Sequence, residues 1–224
     1  MGTRYLSGLT FVSIDLLVAA LSTSQPRFAQ PSLVPGNLLG SIVYKVPDSP
    51  LTTGTTLKIA LQNSLFDEKS IKYLQRVQIL TMLRISGVSS NITEDPEMST
   101  IKLQHEALTV SEIIQHTSEI HLRALQTPPI AFSSAINREP VRALCRAVEN
   151  PAHDHVWDKF PGILAWILLV GCAAAKEEST EYNYFMCLLI KVALGAGYGW
   201  LDSLTVAVRT FVKVKERAER WDGR

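Results

Sequence analysis

The sequence predicts an all-α fold, an irregular multi-helix array with a buried central apolar helix near residues 161–175. Three observations lead there. Apolar residues recur at helical spacing in several separate segments, and prolines punctuate the chain between them or at their starts. Strand-like alternation is nearly absent, with only Leu38 to Val46 having extended character. The run Gly162 to Ala175 is apolar on every side, the pattern of a helix surrounded by protein.

The first helix is expected from about Leu9 to Leu21, after which Pro26, Pro31 and Pro35-Gly36 break the chain. The stretch near 25–54, with Pro47 and Pro50, reads as a Pro-rich linker. Helical spacing begins at Thr55 with Leu57, Leu61 and Leu65. It continues past Asp67-Glu68, acids suited to a helix start, through Ile71, Leu74 and Val77 towards Ile85. A loop follows near 87–98. Thr109 and Glu112 form a capping box for a helix whose apolar face is Val110, Ile113, Ile114 and Ile120, and Pro128-Pro129 ends it. Pro140 suits a first helical position, and Val141, Leu144, Cys145 and Val148 make a core stripe that Asn150-Pro151 stops. Pro161 opens the central helix, and Glu181 to Leu194 forms the next. Gly195, Gly197 and Gly199 then supply a flexible turn. In the last helix Leu204, Val208 and Phe211 face inward, with Arg209, Lys213, Glu216 and Arg220 outward. No repeat of fixed period is visible, and the expectation is a single domain over 1–224.

Composition narrows the function classes. Of 224 residues, 46% are apolar and 19% charged, which suits a globular chain with a sizeable core. With 22 basic against 21 acidic residues, no global field draws the chain to nucleic acid or an anionic membrane. The densest basic run is Lys213, Lys215, Arg217, Arg220 and Arg224. It is interleaved with Glu216, Glu219 and Asp222 and reads as a solvated helix face. Cys145, Cys172 and Cys187 lie far apart, without C-x-x-C, and read as small core residues in a reducing compartment. Asn91-Ile92-Thr93 is a glycosylation acceptor only in a secreted chain. The 14 apolar residues of Gly162 to Ala175 would span ~21 Å as a helix, short of a ~30 Å hydrocarbon core. No membrane span is expected.

No pattern points to a reaction. His153-Asp154-His155 is the one dense group of potential ligands, and a catalytic zinc needs three protein donors, so it reads as a polar loop. Glu177-Glu178 are neighbours that point to different sides of a helix, and Gly195-Ala196-Gly197-Tyr198-Gly199 follows a helix rather than a strand. G-x-S-x-G, phosphate-cradling glycine loops and H-E-x-x-H are absent. No cofactor, metal ligand or catalytic residue is assigned. The structural candidates are Asp15, Pro161, Gly162, Trp166 and Trp200. Trp166 is expected in the core. Asp15, one turn from Phe11, Val12, Val18 and Ala19, needs a basic partner, a backbone N–H or water.

Two fragments carry a resemblance. Ile14-Asp15-Leu16-Leu17-Val18-Ala19-Ala20-Leu21 with Pro26-Arg27-Phe28 is one. Phe160-Pro161-Gly162-Ile163-Leu164-Ala165-Trp166 is the other, with Gly171-Cys172-Ala173-Ala174, Tyr184-Phe185 and Gly199-Trp200 after it. In order and composition they resemble the fungal-specific transcription factor domain, the α-helical regulatory region of binuclear zinc-cluster transcription factors. The resemblance implies a non-enzymatic regulatory or interaction domain, nuclear in location, with other transcription-regulatory proteins as partners. Those factors also carry six clustered cysteines that hold two zinc ions and a DNA-reading helix. This sequence has three scattered ones, and Phe211-Val212-Lys213 stands where an aromatic-Leu-Trp turn is expected. Such a chain looks like a regulatory region without its DNA reader, with no sequence-specific nucleic-acid binding of its own. The alternative is a secreted helical protein whose run Leu9 to Leu21 is a signal peptide, against which Asp15 stands because signal cores exclude carboxylates.

Overall fold

Two helix starts are written in the chain and tied to each other in space. The computed structural model describes residues 48–52, 66–87, 108–195 and 198–221, which form helices joined by turns, with no strand among the described residues. Helix α1 is Glu68–Ile85, and its N-cap Asp67 accepts the Ser70 backbone N–H at 2.8 Å. Helix α2 is Val110–Leu125, opened by the capping box of Thr109 and Glu112. Ser111 donates its hydroxyl to the second Asp67 oxygen at 2.9 Å and receives the Ser70 hydroxyl at 2.9 Å. Asp67 thus caps α1 and ties the start of α2 to it. Ser70 meets Ser111 near the two starts and Thr81 meets His121 three turns on, so α1 and α2 run parallel.

Helix α3 is Arg138–Val148, where Val141, Leu144, Cys145 and Val148 are buried as one stripe. Pro140 is the third helical residue rather than the first, still within the turn whose N–H groups have no intrahelical partner. His153-Asp154-His155 is not an open loop. Pro151–His153 forms a 3₁₀ turn and Asp154–Trp157 a short helix, α4.

Helix α5, Pro161–Ala174, is central because every residue from Gly162 to Ala174 is buried. It packs against α2, α3 and α4, and also against α6, Thr180–Gly195, and α7, Tyr198–Glu219, so no side is left for polar residues. Among the described residues no helix is long and apolar enough to cross a membrane. Between α5 and α6, Glu178 adopts a left-handed φ of 63°, and Ser179 accepts the Tyr182 N–H at 3.1 Å to cap α6. Helices α5 and α6 approach closely at Gly171 of α5, where an added Cβ would lie 2.9 Å from three ring carbons of the fully buried Phe185.

In α7, Leu204, Val208 and Phe211 are buried and Arg209, Lys213, Glu216 and Arg220 exposed. Three expectations need correction. Lys215 is only 7% exposed, its ammonium 3.8 Å from the Glu219 carboxylate, because it continues the inward stripe. Gly199 and Trp200 lie inside α7, whose first turn begins at Tyr198. Cys187 is exposed, while Cys145 and Cys172 are buried.

Of the Pro-rich stretch near 25–54, residues 48–52 are described. They form a buried turn in which Thr52 donates its hydroxyl to Ser49 O at 2.9 Å and accepts the Gln78 side-chain amide at 2.9 Å from α1. Asp15, the helix from Leu9, the extended piece 38–46, Leu57, Leu61, Leu65 and Asn91 lie outside the described residues.

The Gly171 notch yields a test. Gly171→Ala forces a methyl into a ring that cannot swing into solvent and should destabilise the chain by ~1–3 kcal/mol in urea unfolding. Phe185→Leu placed beside it should recover part of that loss. Equal stability of Gly171→Ala and wild type would show that α5 and α6 are not in close contact there.

Candidate functional site

Helix α2 buries polar side chains where a core helix ordinarily carries apolar ones. Gln115, His116, Thr117, Ser118, Glu119 and His121 are all buried. Thr117 and Ser118 return their hydroxyls to the carbonyls of Ile113 and Ile114, both at 2.7 Å, a local satisfaction that needs no partner helix. His121, and Arg123 one turn beyond Glu119, reach outward and join separate parts of the chain.

His121 is 0% exposed and stands where α1, α2, α5 and α7 converge. Trp166 of α5 donates its indole N–H to His121 Nδ1 at 3.3 Å. An indole nitrogen only donates, so Nδ1 is the acceptor and the ring proton resides on Nε2. That N–H points to Thr81 Oγ1 of α1, 3.0 Å away. Around the pair lie Phe132, edge-on at 5.9 Å, and Phe211 of α7 at 6.1 Å, themselves 5.1 Å apart. Burial alone pushes the imidazole down to about 3. His121 is therefore a neutral hydrogen-bonding element and no acid–base group near neutral pH.

A second arm of α2 holds the connection to α3. Gln115 donates to Glu119 at 3.3 Å, and Arg123, 4.0 Å from Glu119, donates to Asn137 Oδ1 at 2.9 Å. Asn137 in turn donates to the carbonyls of Ala131 and Phe132, at 3.3 and 2.9 Å, and Ile130 N–H bonds to Arg123 O at 2.9 Å. The clasp sets Phe132 over His121. Burial raises the Glu119 carboxyl, opposed by the Gln115 bond and the Arg123 charge. His116 beside it has both ring nitrogens buried with no hydrogen-bond partner among the described residues, and burial pushes its imidazole down.

Pro161 and Gly162 form the first turn of α5, which has no side-chain cap of its own because Phe160 holds the N-cap position and packs on Phe66 at 4.7 Å. The Gly162 N–H is instead met by Asp48 from the buried turn. Burial pushes that carboxyl up to about 7 against its backbone hydrogen bonds, and Oδ2 has no partner among the described residues.

The structure thus brings Gly162 to Asp48 and Trp166 to His121, which in turn meets Thr81, while Arg123 pairs with Asn137; sequence periodicity singled out none of these five partners. The only sequence sign of the hub is the polar run Gln115 to Glu119 inside an otherwise apolar pattern. Burial pushes the Cys145 thiol up to about 11 and the Cys172 thiol up further, so neither is an activated nucleophile. Among the described residues no three His, Cys, Asp or Glu side chains are placed to hold a metal ion. What the arrangement does is fix four helices and a loop against one another. Comparison of the chain with protein-family models, with curated proteins and with solved structures finds no match.

Both arms of the hub are open to measurement. Thr81→Val leaves the His121 Nε2–H unpaired and should cost ~1–3 kcal/mol of unfolding free energy. Trp166→Ala removes the largest fully buried side chain among the described residues as well as a donor and should cost ~3–5 kcal/mol. A melting temperature unchanged by either substitution would remove His121 from the centre of the fold.

Proposed function

We propose that the chain is a non-enzymatic regulatory or protein-interaction domain, similar to the regulatory region of binuclear zinc-cluster transcription factors. It works in the nucleus, through contacts with other transcription-regulatory proteins. The observation that carries the reading is the placement of Phe160 to Trp166. This segment, which bears the resemblance, opens the helix around which the others are arranged, and its tryptophan completes the hydrogen-bonded centre. The all-α architecture supports the same reading, because the regulatory region it resembles is helical. The ionisable groups of α2 support it too, being engaged or buried within the junction rather than presented to a substrate.

The test is in a fungal cell. The chain with a C-terminal tag should accumulate in nuclei. Fused to an unrelated DNA-binding module, it should change the output of a reporter carrying that module's site. The purified chain should bind neither stoichiometric zinc nor DNA in a sequence-selective way at about 0.15 M salt. Export with cleavage near Ala20 to Gln25 would overturn the proposal in favour of a secreted protein. Reporter output identical to that of the DNA-binding module alone would remove the regulatory role.

A further inference from the structure

We propose that His121 is an acid-release pin, whose protonation at Nδ1 breaks its bond to Trp166 and undoes the junction of α1, α2, α5 and α7. The geometry follows from one donor. The Trp166 indole presents only N–H to Nδ1, 3.3 Å away. When a proton from solvent adds there, an N–H bond forms on the lone pair that had accepted the indole hydrogen, and two N–H groups then face each other. The ring has nowhere to turn for a new acceptor. Thr81 already takes the Nε2–H, and the rings of Phe132 and Phe211 lie beside it, so no further hydrogen-bond acceptor meets it among the described residues.

Among the described residues no charged side chain acts on the imidazole to hold it as a cation. The groups that meet it are Thr81 from α1, Phe132 from the connection to α3, Trp166 from α5 and Phe211 from α7, and its depressed basicity arises from burial alone. The folded ring therefore refuses a proton until about pH 3, whereas the ring of an opened chain accepts one near its ordinary value of 6.5. Protons bind the open state preferentially between those values. Stability from this group is complete above about 6.5 and falls as the pH drops, by about tenfold in the folding equilibrium per pH unit.

Other titrating groups are separable from it. His116, depressed by burial and acted on by Glu112 and Arg123, adds a slope of the same sign. The carboxyls of Asp48, Glu119 and Glu219, all raised chiefly by burial, bind protons more tightly in the folded chain and work in the opposite direction. All of these remain in a variant changed at position 121 and cancel in the comparison.

The experiment is urea unfolding of the whole chain, followed by tryptophan fluorescence from pH 7 to about 4.5, for wild type and His121→Gln. The glutamine amide offers an acceptor and a donor and does not titrate. Its folding equilibrium should lose about tenfold less per pH unit than wild type below about pH 6. Identical pH slopes would overturn the proposal. If His121→Gln does not fold, nitrogen-15 shifts of the wild-type ring decide the matter. Neutral Nε2–H signals should persist in the folded chain down to about pH 4.5, with imidazolium confined to unfolded signals. An imidazolium His121 within the folded chain at that pH would overturn the inference.

Discussion

The hydrogen bond from Trp166 to His121 is the constraint on which the rest of the array depends. A buried neutral imidazole brings one donor and one acceptor out of water, and each left unmet costs about 1–3 kcal/mol. Here the acceptor is met from α5 and the donor side from α1. The ring lies on α2 and its aromatic neighbours come from α7 and from the connection to α3. Five parts of the chain must arrive together for the polar requirement to vanish. A net gain of only about a kilocalorie per bond does not explain stability, but the penalty for a misplaced partner explains why one arrangement is preferred over near neighbours.

The cost of that arrangement falls on the helix ends. A helix as apolar as α5 has no residue to spare for an N-cap, since a serine or aspartate at Phe160 would replace the ring that packs on Phe66. The N–H of Gly162 is met by Asp48 instead, drawn in with the turn 48–52 and anchored to α1 through Gln78. The carboxyl pays in desolvation what the helix N-terminus returns only in part, which is why its proton is held up to about 7. By contrast, the α1 cap is cheap: Asp67 is near the surface and serves Ser70 and Ser111 together, and those bonds hold its carboxyl below the usual range.

How much of this was legible depends on how far apart the partners lie in the chain. The capping box at Thr109, the acidic start at Asp67 and the stripe Val141, Leu144, Cys145 and Val148 are local patterns, and their physics is complete within a few residues. The all-α class follows from the same periodicity. The hub is not local. His121 reads as one polar residue among apolar ones until α5 supplies an indole and α1 a hydroxyl, and no spacing rule connects position 121 with 81 or 166. Lys215 is a different case. Charge interleaving suggests a solvated face, yet Leu204, Val208, Phe211, Lys215 and Ala218 step by four and three, so the inward register of this lysine was visible in the spacing. The Gly199 turn was misjudged because glycine in a first helical turn costs little where the next helix begins at once.

A helix that is apolar on all sides has no preferred face, so hydrophobic burial cannot decide how α5 is rotated. Three features remove that freedom. Trp166 and Gly171 are five residues apart, which places them ~140° apart around the axis, near opposite sides of the helix. One side must offer the indole N–H to His121, and the other must present the side-chain-free position to Phe185. Turning α5 by one residue would bury an unpaired indole and drive a Cβ into an aromatic ring at once. The Gly162 N–H on Asp48 sets the remaining coordinate, the position along the axis. Burial thus accounts for α5 being central, and one donor, one missing side chain and one backbone N–H account for its orientation.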